Sequence, residues 1–208
     1  MGINTSAQLT KLTALNGMAS YIGIPPLQSL SDISVSPDFQ LAEQILDELT
    51  NEVCAHGMPC NTDYKYTLTP DTETGNIVIP QGAISFFPDT PNNGYYVERD
   101  GKLYDLDKQT FEFTSDVKGT VFWLYDYESL PQVARKYVYV EASHRYVARV
   151  KGNTSVLELT QIDRRRADEE FMQYTQNIGN ANMIYGNSET FYAIDNNSPN
   201  TGDNYYQY

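Results

Sequence analysis

The sequence has no run of about 18 or more apolar residues, the length that crosses a membrane. Its start, MGINTSAQLTKL, lacks the charged-then-apolar pattern of a signal peptide, so neither a membrane anchor nor export is predicted. Basic residues are also few, because 14 Lys and Arg against 27 Asp and Glu give a formal net charge of −13. Such a surface repels phosphate, which argues against a protein that grips nucleic acid, although it lets DNA pass without sticking.

Cysteine is scarce as well: Cys54 and Cys60 are the only two, and they flank His56 in the stretch CAHGMPC. Thiolate and imidazole groups this close together are typical zinc ligands. A structural zinc site needs a fourth ligand, however, and His144 is the only other histidine in the chain. We therefore favour two reduced thiols and predict no metal site.

Two helices are predicted in the first 62 residues. Thr5 and Gln8 fit a capping box, and the apolar residues that follow recur at helical spacing until Gly23. The second helix is predicted to start at Pro37 and to end at Gly57. Its buried stripe is predicted to consist of Phe39, Ala42, Ile45, Leu46, Leu49 and Val53.

A period of two residues begins at about Asp63 and predicts a β region of six or seven strands. Their Tyr, Phe and Trp content favours a small sandwich or barrel. The clearest feature is a hairpin across Asp100-Gly101, a pair of residues typical of a type I′ turn. Strands are predicted at residues 64–68, 77–79, 83–87, 95–98, 102–104, 111–113 and 120–125.

The stretch from Ser129 to Gly152, SLPQVARKYVYVEASHRYVARVKG, is predicted to be the central helix, with Pro131 in its first turn. Its apolar residues spread over about half of the circumference, wider than the stripe of a surface helix, so we expect neighbours on several sides. Glu141 falls within this apolar face. Arg145, one turn later, is predicted to be its ion-pair partner within the helix.

A fourth helix is predicted from Ser155, which forms a second capping box with Glu158, to Gly179. It carries the basic run RRR at residues 164–166, with acidic residues on both sides. These acids lie at helical spacing and offer ion-pair partners within the helix, so the run is predicted to form a solvated face or one with salt bridges between subunits. Phosphate binding is the disfavoured alternative.

Residues 180–208 contain no Lys or Arg and many Asn, Gly and Ser residues. This composition predicts disorder for the segment in isolation. The segment is also rich in aromatic residues, which interfaces use as anchors, so we predict an arm that becomes ordered on a partner. The predicted interface residues are Tyr185, Phe191, Tyr192, Tyr205, Tyr206 and Tyr208.

Together these segments predict an α+β fold, a four-helix bundle with an inserted antiparallel β sandwich or barrel module and an extended C-terminal arm. Burying a Leu or Ile gains about 1.5–3 kcal/mol, whereas ordering each residue costs about 1–2 kcal/mol, so no helix should be stable alone. The two helix pairs are therefore expected to pack together. The assigned segments are 1–62 and 127–179 for the bundle, 63–126 for the β insert and 180–208 for the arm.

Six segments follow one another between residues 20 and 152: SYIGIPPLQSL, AEQILDELTNEVCAHGMPCNTD, YKYTLTPD, YYVERDGKLYD, VFWLYDYESLP and ARKYVYVEASHRYVARVKG. In this order they resemble the tail tubular protein A family, the head-to-tail adaptors of T7-like short-tailed phages. The resemblance implies a structural virion protein, assembled in the host cytoplasm, that forms a dodecameric ring at the head-tail junction. It further implies contact with the portal protein and the tail nozzle protein, and a channel for viral DNA without specific binding or a membrane partner.

No catalytic residue and no cofactor are predicted, since the chain has no Ser-His-Asp order, P-loop or dinucleotide-binding fingerprint. The alternative function is a virion-associated glycan hydrolase, with Asp105 and Asp107, or Asp126 and Glu128, as acid and base. Such chemistry needs two carboxylates at about 5–10 Å, a separation that sequence spacing does not establish. A plain DNA-binding protein is opposed by the charge and by the absence of a basic stripe.

Overall fold

The computed structural model describes residues 9–89, 95–152 and 154–186, the last range with side chains at residues 161–177. The fold is α+β, as predicted. The helices are α1 (Lys11–Ser20), α2 (Pro37–Ala55), α3 (Gln132–Val150) and α4 (Thr154–Gly186). The strands are β1 (Thr62–Leu68), β2 (Ala83–Pro88), β3 (Tyr96–Arg99), β4 (Lys102–Asp105) and β5 (Val117–Trp123).

Helix α1 begins later than the capping box predicted. Thr10 is its N-cap, and the Thr10 hydroxyl accepts the backbone N–H of Thr13 at 3.2 Å. Leu9 therefore precedes the helix, while Thr5 and Gln8 lie outside the described residues. Since Thr10 satisfies one of the free N–H groups at the helix start, the first turn forms there.

The start and end of α2 agree closely with the prediction. Pro37 occupies the first helical position, where its missing N–H leaves no hydrogen bond unmade. The helix ends at Ala55, and Gly57 follows with a positive φ of 76°, a conformation that glycine adopts without steric cost. All six residues of the predicted stripe are buried in the helical core.

Helix α3 is shorter at both ends than the predicted helix. Tyr127–Ser129 form a 3₁₀ turn, and Leu130 has an extended backbone with ψ of 150°. A proline disfavours the helical conformation in the residue before it, which accounts for the extended Leu130. Pro131 has an extended ψ of 150° itself, so it precedes the helix and Gln132 begins it. The predicted central position is confirmed, because α1, α2 and α4 all contact α3.

Helix α4 is longer than predicted, since it continues through Gly179 to Gly186. A glycine inside a helix costs only about 1 kcal/mol relative to alanine, and Ala181 and Met183 beyond it favour the helix. The first seven residues of the predicted arm are therefore helical. Helix α4 packs chiefly on α3, and a regular four-helix bundle stays a prediction.

The strands form a three-stranded antiparallel sheet in the order β1-β5-β2 and a separate two-stranded sheet of β3 and β4. The β3–β4 hairpin is confirmed: both Asp100 and Gly101 have positive φ, as a type I′ turn requires. Segments 77–79 and 111–113 are not strands but make isolated bridges, such as Val78 with Lys102. Within the described ranges the sheets do not close into a barrel.

Two hydrophobic clusters fill the interior. The helical core comprises buried side chains of α1, α2 and α3, together with Ile33, Met58, Tyr127 and Leu130. The β core is much smaller and consists of Leu68, Ile77, Ile79, Leu103 and Val117.

Asn61 connects these two parts of the molecule. Its side chain is fully buried, accepts the N–H of Met58 at 2.6 Å and donates to the carbonyl oxygens of Cys54 and Trp123. A single side chain thereby joins the end of α2 to the end of β5.

Candidate assembly surface on helix α4

Helix α4 rests on α3 through a short apolar contact. Ala167 is buried, and the ring of Phe171 stacks on that of Tyr137 with 4.5 Å between centroids and 11° between planes. Burial raises the pKa of the Tyr137 hydroxyl above its ordinary value. One face of α4 is thus fixed to the body by small and aromatic residues.

Ion pairs flank this apolar contact on both sides. Arg164 donates through Nε and Nη2 to the Glu141 carboxylate at 2.5 and 2.7 Å, and Lys136 donates to Glu170 at 2.7 and 2.8 Å. The Glu141 side chain is only 10% exposed, so the arginine fork compensates a charge that is largely removed from water. Both pairs join α3 to α4.

The predicted pairing of Glu141 with Arg145 is therefore wrong. Arg145 instead donates hydrogen bonds through both Nη atoms to the Glu52 carboxylate of α2, each at 2.7 Å. These bonds hold the pKa of the Glu52 carboxyl below its ordinary value. Helix α4 lies along the same face of α3 as Glu141, so Arg164 reaches this carboxylate in place of Arg145. The prediction that Arg164 pairs within its own helix is corrected by the same contact.

The three potential zinc ligands have other neighbours. The Cys54 thiol points to the carbonyl oxygen of Tyr125 at 3.9 Å, and His56 Nδ1 lies 2.7 Å from the carbonyl oxygen of Glu52. Cys60 lies beside the hydroxyl of Tyr174 on α4, and burial raises the pKa of both thiols. No group of three or more His, Cys, Asp or Glu side chains in the described part of the chain is arranged to hold a metal.

The surface of α4 outside its contact with α3 is open, and we call it the outer face of α4. Ile162 and Met172 are 57% and 53% exposed, high values for large apolar side chains. Arg165 and Arg166 are exposed, and neither forms an ion pair with any side chain that the structure describes. This outer face of α4 therefore combines apolar groups and positive charge on a chain of net charge −13.

The acids considered for glycan hydrolysis serve local structure. Asp105 is 3% exposed, and its Oδ1 accepts the N–H groups of Asp107 and Lys108 at 2.9 Å. Glu128 Oε1 accepts the N–H of Lys11 at 3.0 Å, which caps the start of α1. Asp126 is the N-cap residue of a 3₁₀ turn and makes no side-chain capping bond. One acid of each candidate pair thus holds backbone N–H groups.

The predicted interface residues of the arm are mostly beyond the described residues. Tyr185 lies in the last turn of α4, of which the structure gives the backbone only. Phe191, Tyr192, Tyr205, Tyr206 and Tyr208 all lie outside the described ranges, so their role stays a prediction.

Comparison with known families decides the identity of the chain. The profile of the tail tubular proteins matches residues 12–181, from the first turn of α1 to the last third of α4. The chain belongs to the tail tubular protein family. It is therefore a structural protein of the phage virion tail, where it assembles with other virion components, and the resemblance seen in the sequence is confirmed.

No curated protein matches this tail tubular protein. Among the helices that the structure describes, none is long and apolar enough to cross a membrane.

Sequence reasoning missed the contact between Arg164 and Glu141, although a signal for it exists. The two residues lie twelve and eleven positions from Gly152, on helices joined by a short connection. Such helices run antiparallel, so residues at equal distances from the connection become neighbours. Asn61 gave no comparable signal, because one of its partners, Trp123 of β5, lies far along the chain.

Proposed function

We propose that this tail protein is the head-to-tail adaptor of its phage. It forms a dodecameric ring at the head-tail junction, between the portal protein and the tail nozzle protein, and gives the viral DNA a channel. Assembly takes place in the host cytoplasm. The family match over residues 12–181 supports a tail protein, and the open outer face of α4 supports one that acts through contacts between subunits.

The charge distribution fits contact between unlike surfaces. A closed ring of identical subunits about one axis needs two different patches on each subunit, and complementary charge helps to select them. Arg165 and Arg166 offer positive charge on a protein of net charge −13, so an acidic surface of the next subunit is a natural partner. The remaining acidic surface would line a channel to which DNA does not adhere.

The arm supplies the second kind of contact in this proposal. Helix α4 ends at Gly186, and residues 187–208 follow it with five aromatic side chains and no Lys or Arg. Aromatic anchors contribute much of the binding free energy in protein interfaces. We assign Tyr185, Phe191, Tyr192, Tyr205, Tyr206 and Tyr208 to contact with the portal or with a neighbouring subunit.

The proposal is tested by native mass measurement of the protein mixed with its portal protein. The full chain should form a complex with about twelve copies, whereas a version that ends at Gly186, which keeps all of α4, should lose portal binding. A full chain that stays monomeric and ignores the portal contradicts the adaptor function.

A matched pair of variants tests the outer face of α4. Arg165→Glu with Arg166→Glu should prevent ring formation, because the positive patch becomes negative. Lys65→Glu with Lys118→Glu, two exposed positions in the β1-β5-β2 sheet, changes the net charge equally and should leave the ring intact. Equal loss of the ring in both variants would show that net charge matters and that the α4 patch does not.

A further inference from the structure

A groove with a volume of 530 Å³ lies between α2 and α4, with α3 as its floor; we call it the α2–α4 groove. Leu49, Val53 and Met58 line one side, Tyr137 lies at the base, and Phe171 and Met172 line the other side. The volume is in the range of sites that hold aromatic or drug-sized groups. Met172, which lies at the rim, is 53% exposed, so the groove is open to solvent in the part of the chain that the structure describes.

Both arginines at the rim are already paired, and the other charged residue of the lining, Asp168, is acidic. Arg145 bonds to Glu52 and Arg164 bonds to Glu141, so neither arginine offers a free positive charge to an anionic ligand. The remaining lining includes two methionines and two aromatic rings, together with Leu49 and Val53. Methionine sulfur packs favourably on aromatic rings, so the chemistry of the groove suits aromatic side chains.

The length of chain beyond α4 identifies the occupant. Thr175 is the last residue of α4 that lines the groove, and eleven residues separate it from the end of the helix at Gly186. At 1.5 Å per residue this part of α4 spans about 16 Å. An extended chain that returns along the helix covers about 3.3 Å per residue and needs about five residues for the same distance.

A tight reversal takes about two further residues, so a chain that turns at Gly186 and Asn187 returns to the level of Thr175 at about residue 193, next to Phe191 and Tyr192. Gly186 and Asn187 are residue types at which helices commonly end and the chain reverses. The segment TFYAID at residues 190–195 thus brings two large aromatic side chains to the distance at which the groove begins.

We infer that residues 190–195 of the unassembled subunit fold back along α4, so that Phe191 and Tyr192 fill the α2–α4 groove of the same chain. Each ring buries about 150–250 Å² of surface in such a site. The fold-back shelters the aromatic part of the arm until a partner binds it. It concerns the single subunit, and it holds or fails independently of the proposed ring.

Oxidation of Met172 by dilute peroxide tests the inference in the purified full chain, without portal protein. Methionine oxidation follows exposure, so Phe191→Ser with Tyr192→Ser should raise the rate of Met172 sulfoxide formation about fivefold or more. Tyr205→Ser with Tyr206→Ser is the matched control and should leave the rate unchanged. Met18, which is fully buried in the helical core, reports that the fold is intact.

An unchanged Met172 rate in the first variant would overturn the inference. Protein concentration separates the two possible sources of the arm, because protection by the same chain persists on dilution. Protection that disappears on dilution would assign the groove to the arm of a second copy and would also overturn the fold-back within one chain. Failure of portal binding in the mass experiment affects neither readout.

Discussion

The helical core and the β core differ in size and in the contacts that stabilise them. Among the residues that the structure describes, the helical core buries nineteen, Phe39 and Tyr146 included, whereas the β core buries five. The β part relies more on local devices, such as the edge-to-face pairs of Tyr96 with Phe113 and Tyr104 with Phe111. Global stability should therefore reside in the helices, and the β part should be able to open locally.

The largest expected effect comes from one substitution made in each core. Leu46→Ala should lower the free energy of unfolding by about 2–5 kcal/mol, because a fully buried leucine leaves a cavity in the helical core. Leu103→Ala removes the same atoms from the β core. Hydrogen exchange should then show lost protection in residues 95–123 for Leu103→Ala and throughout the chain for Leu46→Ala. Loss throughout the chain in both variants would contradict the comparison.

The next effect concerns the junction of the two parts. A Cβ atom at Gly57 would lie 2.3 Å from the Phe122 ring, and φ is +76°. Gly57→Ala should cost about 2–5 kcal/mol, the sum of a left-handed alanine and a forced shift of the ring.

Gly82→Ala is the control, because φ there is +87° and the space around its Cβ is open. Only the conformational cost of about 1–2 kcal/mol should remain. Urea denaturation measures both variants, and equal costs would show that the contact of Gly57 with Phe122 is unimportant.

A smaller effect is expected at the contact of α3 with α4. Arg164→Met should destabilise the protein by about 1–3 kcal/mol, because it leaves the buried Glu141 carboxylate without its partner. Arg165→Met on the same helix should change stability by less than about 0.5 kcal/mol. Thermal unfolding compares the two variants, and similar shifts in Tm would argue against a structural role of this ion pair.

The smallest effect is a pH dependence at the contact of α2 with α3. The hydrogen bond from Arg145 holds the pKa of Glu52 below its ordinary value of 4.5, so the folded protein keeps this carboxylate charged to lower pH. The resulting stability is present above pH 4.5 and is lost as the pH falls through the lowered pKa.

Because both partners are partly exposed, the pair should contribute only about 0.2–1 kcal/mol. Arg145→Gln should lower stability at pH 7 and have less effect at pH 3, as urea denaturation at the two pH values would show. An equal effect at both pH values would contradict the account.

The structural features that the sequence predicts correctly are set by residues close together in the chain. Pro37 and Gly57 enclose α2, and Asp100-Gly101 sets the hairpin, because each signal acts within a few residues. The joint at Asn61 depends on which elements become neighbours, and no local pattern contains that information. The partner of Glu141 follows only once α3 and α4 are placed antiparallel across their short connection. Helix α4 exceeded its predicted end because the helix tolerates Gly179.

The outer face of α4 shows the same division between local sequence signals and contacts between elements. The basic run at residues 164–166 was evident from the sequence, but only the structure separates Arg164, which holds α4 to α3, from the exposed Arg165 and Arg166. A helix register decides which of three adjacent arginines faces the body. That register follows from Ala167 and Phe171 packing on α3.

Hydrogen exchange of the full chain, alone and mixed with its portal protein, tests most directly that α4 and the arm carry the assembly contacts. We predict that new protection on mixing concentrates in residues 154–208, with little change in the β1-β5-β2 sheet. New protection confined to that sheet, or none at all, would contradict the account.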